Sequence, residues 1–209
     1  MPIRGSSSAT PSSPAMVLLV LVLLVLLVGC GGNPKAAPTS PPTPIGQLNT
    51  SQMNIPRVKF CDLIPADAVS TALGTTTSTN GSWANGDVIP LGSSPQDVVH
   101  EFGCRFTAGT SQAEAWVFAR PVQPVFAQTV ITQTATKNNC QSIAGPNFGQ
   151  PSQRQTCELA DGVVRVRFAG LFNQTWLTCQ LQAQATAAEV KRRAGAWCVR
   201  VVNATNTVR

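Results

Sequence analysis

Residues 154–201 read RQTCELADGVVRVRFAGLFNQTWLTCQLQAQATAAEVKRRAGAWCVRV, three alternating segments followed by an amphipathic one. The segments Arg154–Leu159, Val163–Ala169 and Thr175–Gln182 predict strands of an antiparallel meander, with Asp161-Gly162 as the first turn. In the middle strand Val164, Val166 and Phe168 alternate with Arg165 and Arg167, so one face is expected to be buried and the other solvated. Thr186-Ala187-Ala188-Glu189 then reads as a capping box, and Val190, Ala194, Trp197 and Val201 recur at helical spacing. Cys198 lies beside that stripe, where its thiol can reach the sheet at Cys179.

Upstream the same reading continues. Pro65 suits a first helical position, Ala66 to Leu73 carry an apolar flank with Ile64, and Gly74 is the stop. Thr75–Gly86 reads as an edge strand and Asp87–Asp97 as an exposed loop. Glu101–Thr107 and Ala113–Arg120 form a hairpin pattern, Trp116 and Phe118 sharing one face and Ala115, Val117 and Ala119 the other. Pro124–Cys140 is a threonine-rich helix candidate with Phe126, Val130 and Cys140 near one stripe, and Gly145–Gln153 is a loop. The class is α+β, an antiparallel sheet with helices packed on it in the order α-β-β-α-β-β-β-α.

Toward the amino terminus, an apolar run from Ala15 to Val28 follows a short polar segment carrying Arg4. It is too short to cross a bilayer as a helix and has the build of a signal peptide. Leu27-Val28-Gly29-Cys30 resembles a bacterial lipobox; the resemblance implies cleavage before Cys30 and a diacylglycerol on its thiol. Residues 1–29 are thus expected to be removed and residues 30–56, rich in Pro and Thr, to be a stiff tether. Residues 57–209 then form one domain, long enough for its own core. The triplets at Asn49, Asn80, Asn173 and Asn203 are read as chance matches to a glycosylation signal.

Besides Cys30 the chain has Cys61, Cys104, Cys140, Cys157, Cys179 and Cys198, an even set in an exported protein, which implies three disulfides. The sequential pairing is favoured among the fifteen that are combinatorially open. No Cys-x-x-Cys occurs and His100 is the only histidine, so zinc is not expected.

The chain carries 15 Lys+Arg against nine Asp+Glu, a modest basic excess that suits anionic envelope polymers or lipid headgroups and not nucleic acid. Catalysis lacks parts: there is no Gly-x-Ser-x-Gly turn or glycine-rich phosphate loop, His100 reads as a surface or loop residue, and Asp62, Asp67, Asp87, Asp97 and Glu101 read as caps and turns. No cofactor is expected. Arg154, Arg165 and Arg167 are the candidate anionic-partner patch, to be joined by Lys191, Arg192 and Arg193 of the last helix.

The lipobox, the Pro/Thr tether, Cys61-Asp62-Leu63-Ile64-Pro65-Ala66-Asp67-Ala68-Val69 with Leu73-Gly74 behind it, Gly103-Cys104-Arg105-Phe106 and the Cys198 helix together resemble a family of actinobacterial envelope lipoproteins of unknown function. The likeness spans most of residues 58–203. It implies a Cys61–Cys104 pair and brings no catalytic residues. The element order has a looser likeness to extracellular sensor domains of mycobacterial receptor kinases, an analogy of fold only. The functional expectation is a non-enzymatic, monomeric domain anchored by lipid on the extracytoplasmic face of the cell membrane, binding an envelope lipid or protein. Its alternatives are an apolar-ligand carrier with a cavity of roughly 300 Å³ or more, and a sensor-like module recognising a protein through the loops around Trp83 and Phe148.

Overall fold

The meander lies inside a larger sheet. A computed structural model describes residues 43–91, 94–135 and 139–206, which belong to one compact unit; the expected signal peptide, Cys30 and the tether as far as residue 42 lie outside the described residues. The strands are β1 (Thr79–Trp83), β2 (Val88–Leu91), β3 (Ser94–Val98), β4 (Glu101–Ala108), β5 (Ser111–Phe118), β6 (Cys140–Ser142), β7 (Ser152–Glu158), β8 (Val164–Phe172) and β9 (Thr175–Ala183). The helices are α1 (Ala66–Leu73), α2 (Pro124–Thr134) and α3 (Ala187–Asn206). Seven strands pair antiparallel in the order β1-β4-β5-β9-β8-β7-β6, and β2 and β3 make a separate ribbon. The α+β class holds. None of the helices among the described residues is long and apolar enough to cross a membrane.

The cross-strand register assigns the two faces. Phe106, Ala113, Leu181 and Val166 form one row across four strands, and Arg105, Glu114, Gln180 and Arg167 form the next. Adjacent rows point to opposite sides of a pleated sheet. The first side is covered by α1 and α3 and holds the main core, including Phe60, Leu73, Phe168, Leu177 and Trp197. On α3 the predicted stripe Val190, Ala194, Trp197 and Val201 is buried, and Cys198 and Val202 beside it widen the packed face. The N-terminal cap is half a capping box: Thr186 Oγ1 accepts from the Glu189 amide at 3.3 Å, while the Glu189 carboxylate turns to Arg192. The end of α1 is held from α3, where the Arg193 guanidinium donates to the Ala72 carbonyl, 3.0 Å from Nε. Gly74 closes that helix at φ 76°, a left-handed conformation that favours glycine.

Three disulfides stitch this frame in sequence order: Cys61–Cys104, Cys140–Cys157 and Cys179–Cys198. The first joins the turn before α1 to β4, the second crosses from β6 to β7, and the third ties β9 to α3.

Four expectations change. Residues 43–56, expected in the tether, belong to the folded body, because Ile45, Leu48 and Met53 pack on the core and Ile55 is only 1% exposed. Two hydrogen bonds fix this strap, Thr175 Oγ1 to the Ile55 carbonyl at 2.7 Å and the Asn54 amide to Asn206 Oδ1 at 2.9 Å. Asp87–Asp97 is largely the β2–β3 ribbon and not a loop. The helix expected to reach Cys140 ends at Thr134, and Cys140 belongs to β6, directly opposite its disulfide partner. Phe126 is half exposed; Ala127, Val130 and Ile131 face the sheet in its place.

Candidate binding face

Among the described residues the second side of the sheet is covered by a helix at one end. There α2 packs Ala127, Val130 and Ile131 against Phe118, Ala169, Leu171 and Trp176. Its last carbonyls, which a helix end leaves without intrahelical donors, are met by β7: Gln153 Nε2 donates to Ile131 at 3.2 Å and Gln155 Nε2 to Thr134 at 2.7 Å.

Beyond α2 the same face carries charge. Glu114 on β5 is 5% exposed and accepts hydrogen bonds from Arg105 of β4 and Gln180 of β9. Gln180 in turn accepts from Arg167 Nε at 2.9 Å. The ladder therefore runs Arg105–Glu114–Gln180–Arg167 over four adjacent strands, with Gln155 of β7 directly opposite Arg167. Burying ionised groups is tolerated only with partners of this kind. The ladder is nevertheless unbalanced, since Arg105 and Arg167 share the one carboxylate of Glu114 within it and Arg165 stands beside them. Burial pulls the Arg167 guanidinium below its ordinary pKa, Arg165 adds repulsion, and Glu114 pulls in the opposite direction. Two buried polar atoms at this place, Arg165 Nε and Gln155 Oε1, have no hydrogen-bond partner. One is a donor and the other an acceptor.

Next to the ladder lie two tryptophans. Trp83, Gly103 and Trp116 form one row across β1, β4 and β5. The Trp83 indole lies over Gly103 so closely that a Cβ there would stand 2.2 Å from Cζ2, so only glycine leaves the shelf flat. Arg105 and Arg167 each stand 5.7 Å from a ring centroid, over Trp83 and Trp116 respectively, within cation–π range. An open cleft of about 550 Å³ is lined by His100, Glu101, Phe118, Arg120, Val122 and Phe126.

Glu101 is held in this cleft with its carboxyl above the usual carboxylate range, chiefly by burial; a hydrogen bond from Trp83 opposes the shift and Glu114 adds to it. A raised carboxyl favours the native state when protonated, so its stabilising contribution is present at low pH and is lost as pH rises from the unfolded carboxylate pKa through the folded one. Glu101→Gln is accordingly expected to raise the melting temperature at pH 7 and to leave it unchanged near pH 4. Thermal scans of both proteins at the two pH values check this; an equal shift at both would assign the effect to packing.

The expected arginine patch divides. Arg165 and Arg167 share the open face, but Arg154 sits opposite Phe168 and therefore on the helix-covered side. There it meets Lys191 and Arg192 in a different groove, while Arg193 is engaged with α1. Phe148 is also unavailable for recognition: it is fully buried, edge-on to Phe168 and Phe172 at 6.1 and 5.1 Å. Trp83, in contrast, belongs to the open shelf. Where α1 and α3 pack directly on the sheet the space is filled by the main core. Glu114 and Gln180 were missed by sequence reasoning. A signal existed in Ala113-Glu114-Ala115-Trp116-Val117, where a lone charge shares its face with a tryptophan.

No protein-family model and no curated protein matches the chain. Among solved structures it is similar to the extracellular domain of PknH from Mycobacterium tuberculosis, at 14% identity and a TM-score of 0.44, over 75% of this chain and 98% of that one.

Proposed function

We propose that this domain is a non-catalytic extracytoplasmic binding module, held at the cell membrane through Cys30, that takes an acidic saccharide on the open face of its sheet. The observation that carries the reading is Arg167: a half-buried guanidinium whose hydrogen-bond partner is the neutral Gln180, beside a second arginine with an unpartnered Nε. Such a pair is completed by a carboxylate or phosphate, which guanidinium groups recognise with two parallel hydrogen bonds. Trp116 and Trp83 add flat apolar surface at low entropic cost, suited to the face of a sugar ring.

The test is calorimetric titration of residues 31–209 with oligoglucuronate and with the neutral oligoglucoside of equal length. The acidic oligomer is expected to bind and the neutral one to bind at least tenfold more weakly, with Arg167→Gln and Trp116→Ala each lowering affinity for the acidic one by about tenfold, the worth of one lost charged or stacking contact. Equal affinity for both oligomers, or none for either, would refute the reading.

A further inference from the structure

We infer that a second site, on the opposite side of the sheet, seats an anionic phospholipid of the membrane and orients the domain on it. The site is an open groove of about 550 Å³ with mainly apolar walls, formed by Pro44 and Ile45 of the N-terminal strap, Pro146 of the loop before β7, Phe168 of β8 and Ala196 of α3. Three cations stand around it, Arg154, Lys191 and Arg192. Arg192 is engaged by Glu189 at 2.8 and 2.9 Å, but Lys191 makes no ion pair with a described residue. Arg154 donates to the Gly145 carbonyl, and its Nη1 is buried with no partner. An apolar trough with Arg154 and Lys191, neither in an ion pair with a described residue, among its lining complements an amphiphile whose acid group sits beside its hydrocarbon.

The position of the groove names which amphiphile. The described chain starts at Thr43, itself part of the groove wall, thirteen residues beyond Cys30. Proline-rich chain spans about 3.1 Å per residue, so in that form this stretch would cover roughly 40 Å. That reach is comparable to the thickness of a bilayer with its headgroups. A chain anchored at Cys30 would hold this groove within tether length of the lipid headgroups. Arg154 and Phe168 lie on the helix-covered side of the sheet and Arg167 on the other. Docking through the groove therefore turns the Trp83–Trp116 shelf away from the membrane, toward the envelope.

The inference rests on the proposed anchor for the choice of lipid and for orientation, and its test omits the anchor. Residues 31–209, which contain the whole compact unit and all three disulfides but not Cys30, are sedimented with vesicles of phosphatidylcholine alone or mixed with phosphatidylglycerol. Binding to the mixed vesicles only is expected. Lys191→Ala should weaken it about fivefold, the contribution of one basic residue near an anionic surface. Ala188→Glu, which sets a carboxylate on the groove, should weaken it further; in the first turn of α3 an acidic residue suits the helix dipole, so the fold is kept. Neither variant should change oligoglucuronate binding, which separates failure here from failure of the saccharide reading. Equal sedimentation with both vesicle types would overturn the inference. So would an equal loss with Arg105→Glu on the opposite face, which would reduce the effect to net charge.

Discussion

Trp197→Ala is expected to remove about 3–5 kcal/mol of stability, the range for truncating a buried tryptophan. Trp197 is 1% exposed on α3, packs edge-on against Phe106 with centroids 5.9 Å apart, and donates from Nε1 to the Glu114 carbonyl at 3.0 Å. Alanine would leave a cavity against β4 and β5 and a buried carbonyl without its indole donor. In a unit of this size a loss of that order lowers the melting temperature by roughly 10 °C. Urea unfolding followed by circular dichroism measures it. Trp197→Phe, which keeps the ring and loses the donor, should fall between the two by about 1 kcal/mol from wild type. A loss below that for the alanine variant would mean that α3 is not seated on the sheet through this residue. The same side chain links the two sides of the sheet, because the backbone it holds is that of Glu114, the hub of the arginine ladder.

The part of the fold legible in the sequence is the part with a clean period. Val164, Val166 and Phe168 alternate, and Val190, Ala194, Trp197 and Val201 recur with the turn of a helix; both patterns report burial on one side. The face of Arg154 was not legible, because it depends on register and not on local pattern. Gln155 pairs with Arg167, so Arg154 must point the other way, and a shift of one residue would have reversed the assignment. The strap from residue 43 to 56 was hidden for a different reason. Its four apolar residues, Ile45, Leu48, Met53 and Ile55, are spaced without period among prolines and polar residues, and only the surface they cover explains them. The binding face itself was half visible. Trp83, Trp116, Arg165 and Arg167 could be named, but the buried carboxylate that organises them is a single Glu in a strand of small residues.

Among the disulfides, removing Cys61–Cys104 is expected to have the largest effect. It closes a separation of 43 residues, against 17 for Cys140–Cys157 and 19 for Cys179–Cys198. Chain entropy gives about 4 kcal/mol for the first and about 3 for each of the others. The position of the bond adds a functional consequence. Cys104 lies between Gly103 and Arg105 on β4, whose only partner on its outer side is the short, exposed edge strand β1 that carries Trp83. Freed from the turn before α1, this end of the sheet keeps its hydrogen bonds but loses its covalent tie to the helix layer. Cys61→Ala with Cys104→Ala should therefore lower the urea midpoint most among the three paired variants and weaken saccharide binding in folded protein. If the Cys179–Cys198 pair proves the more damaging, the fully buried packing of those two sulfurs, and not loop entropy, governs the stability of this frame.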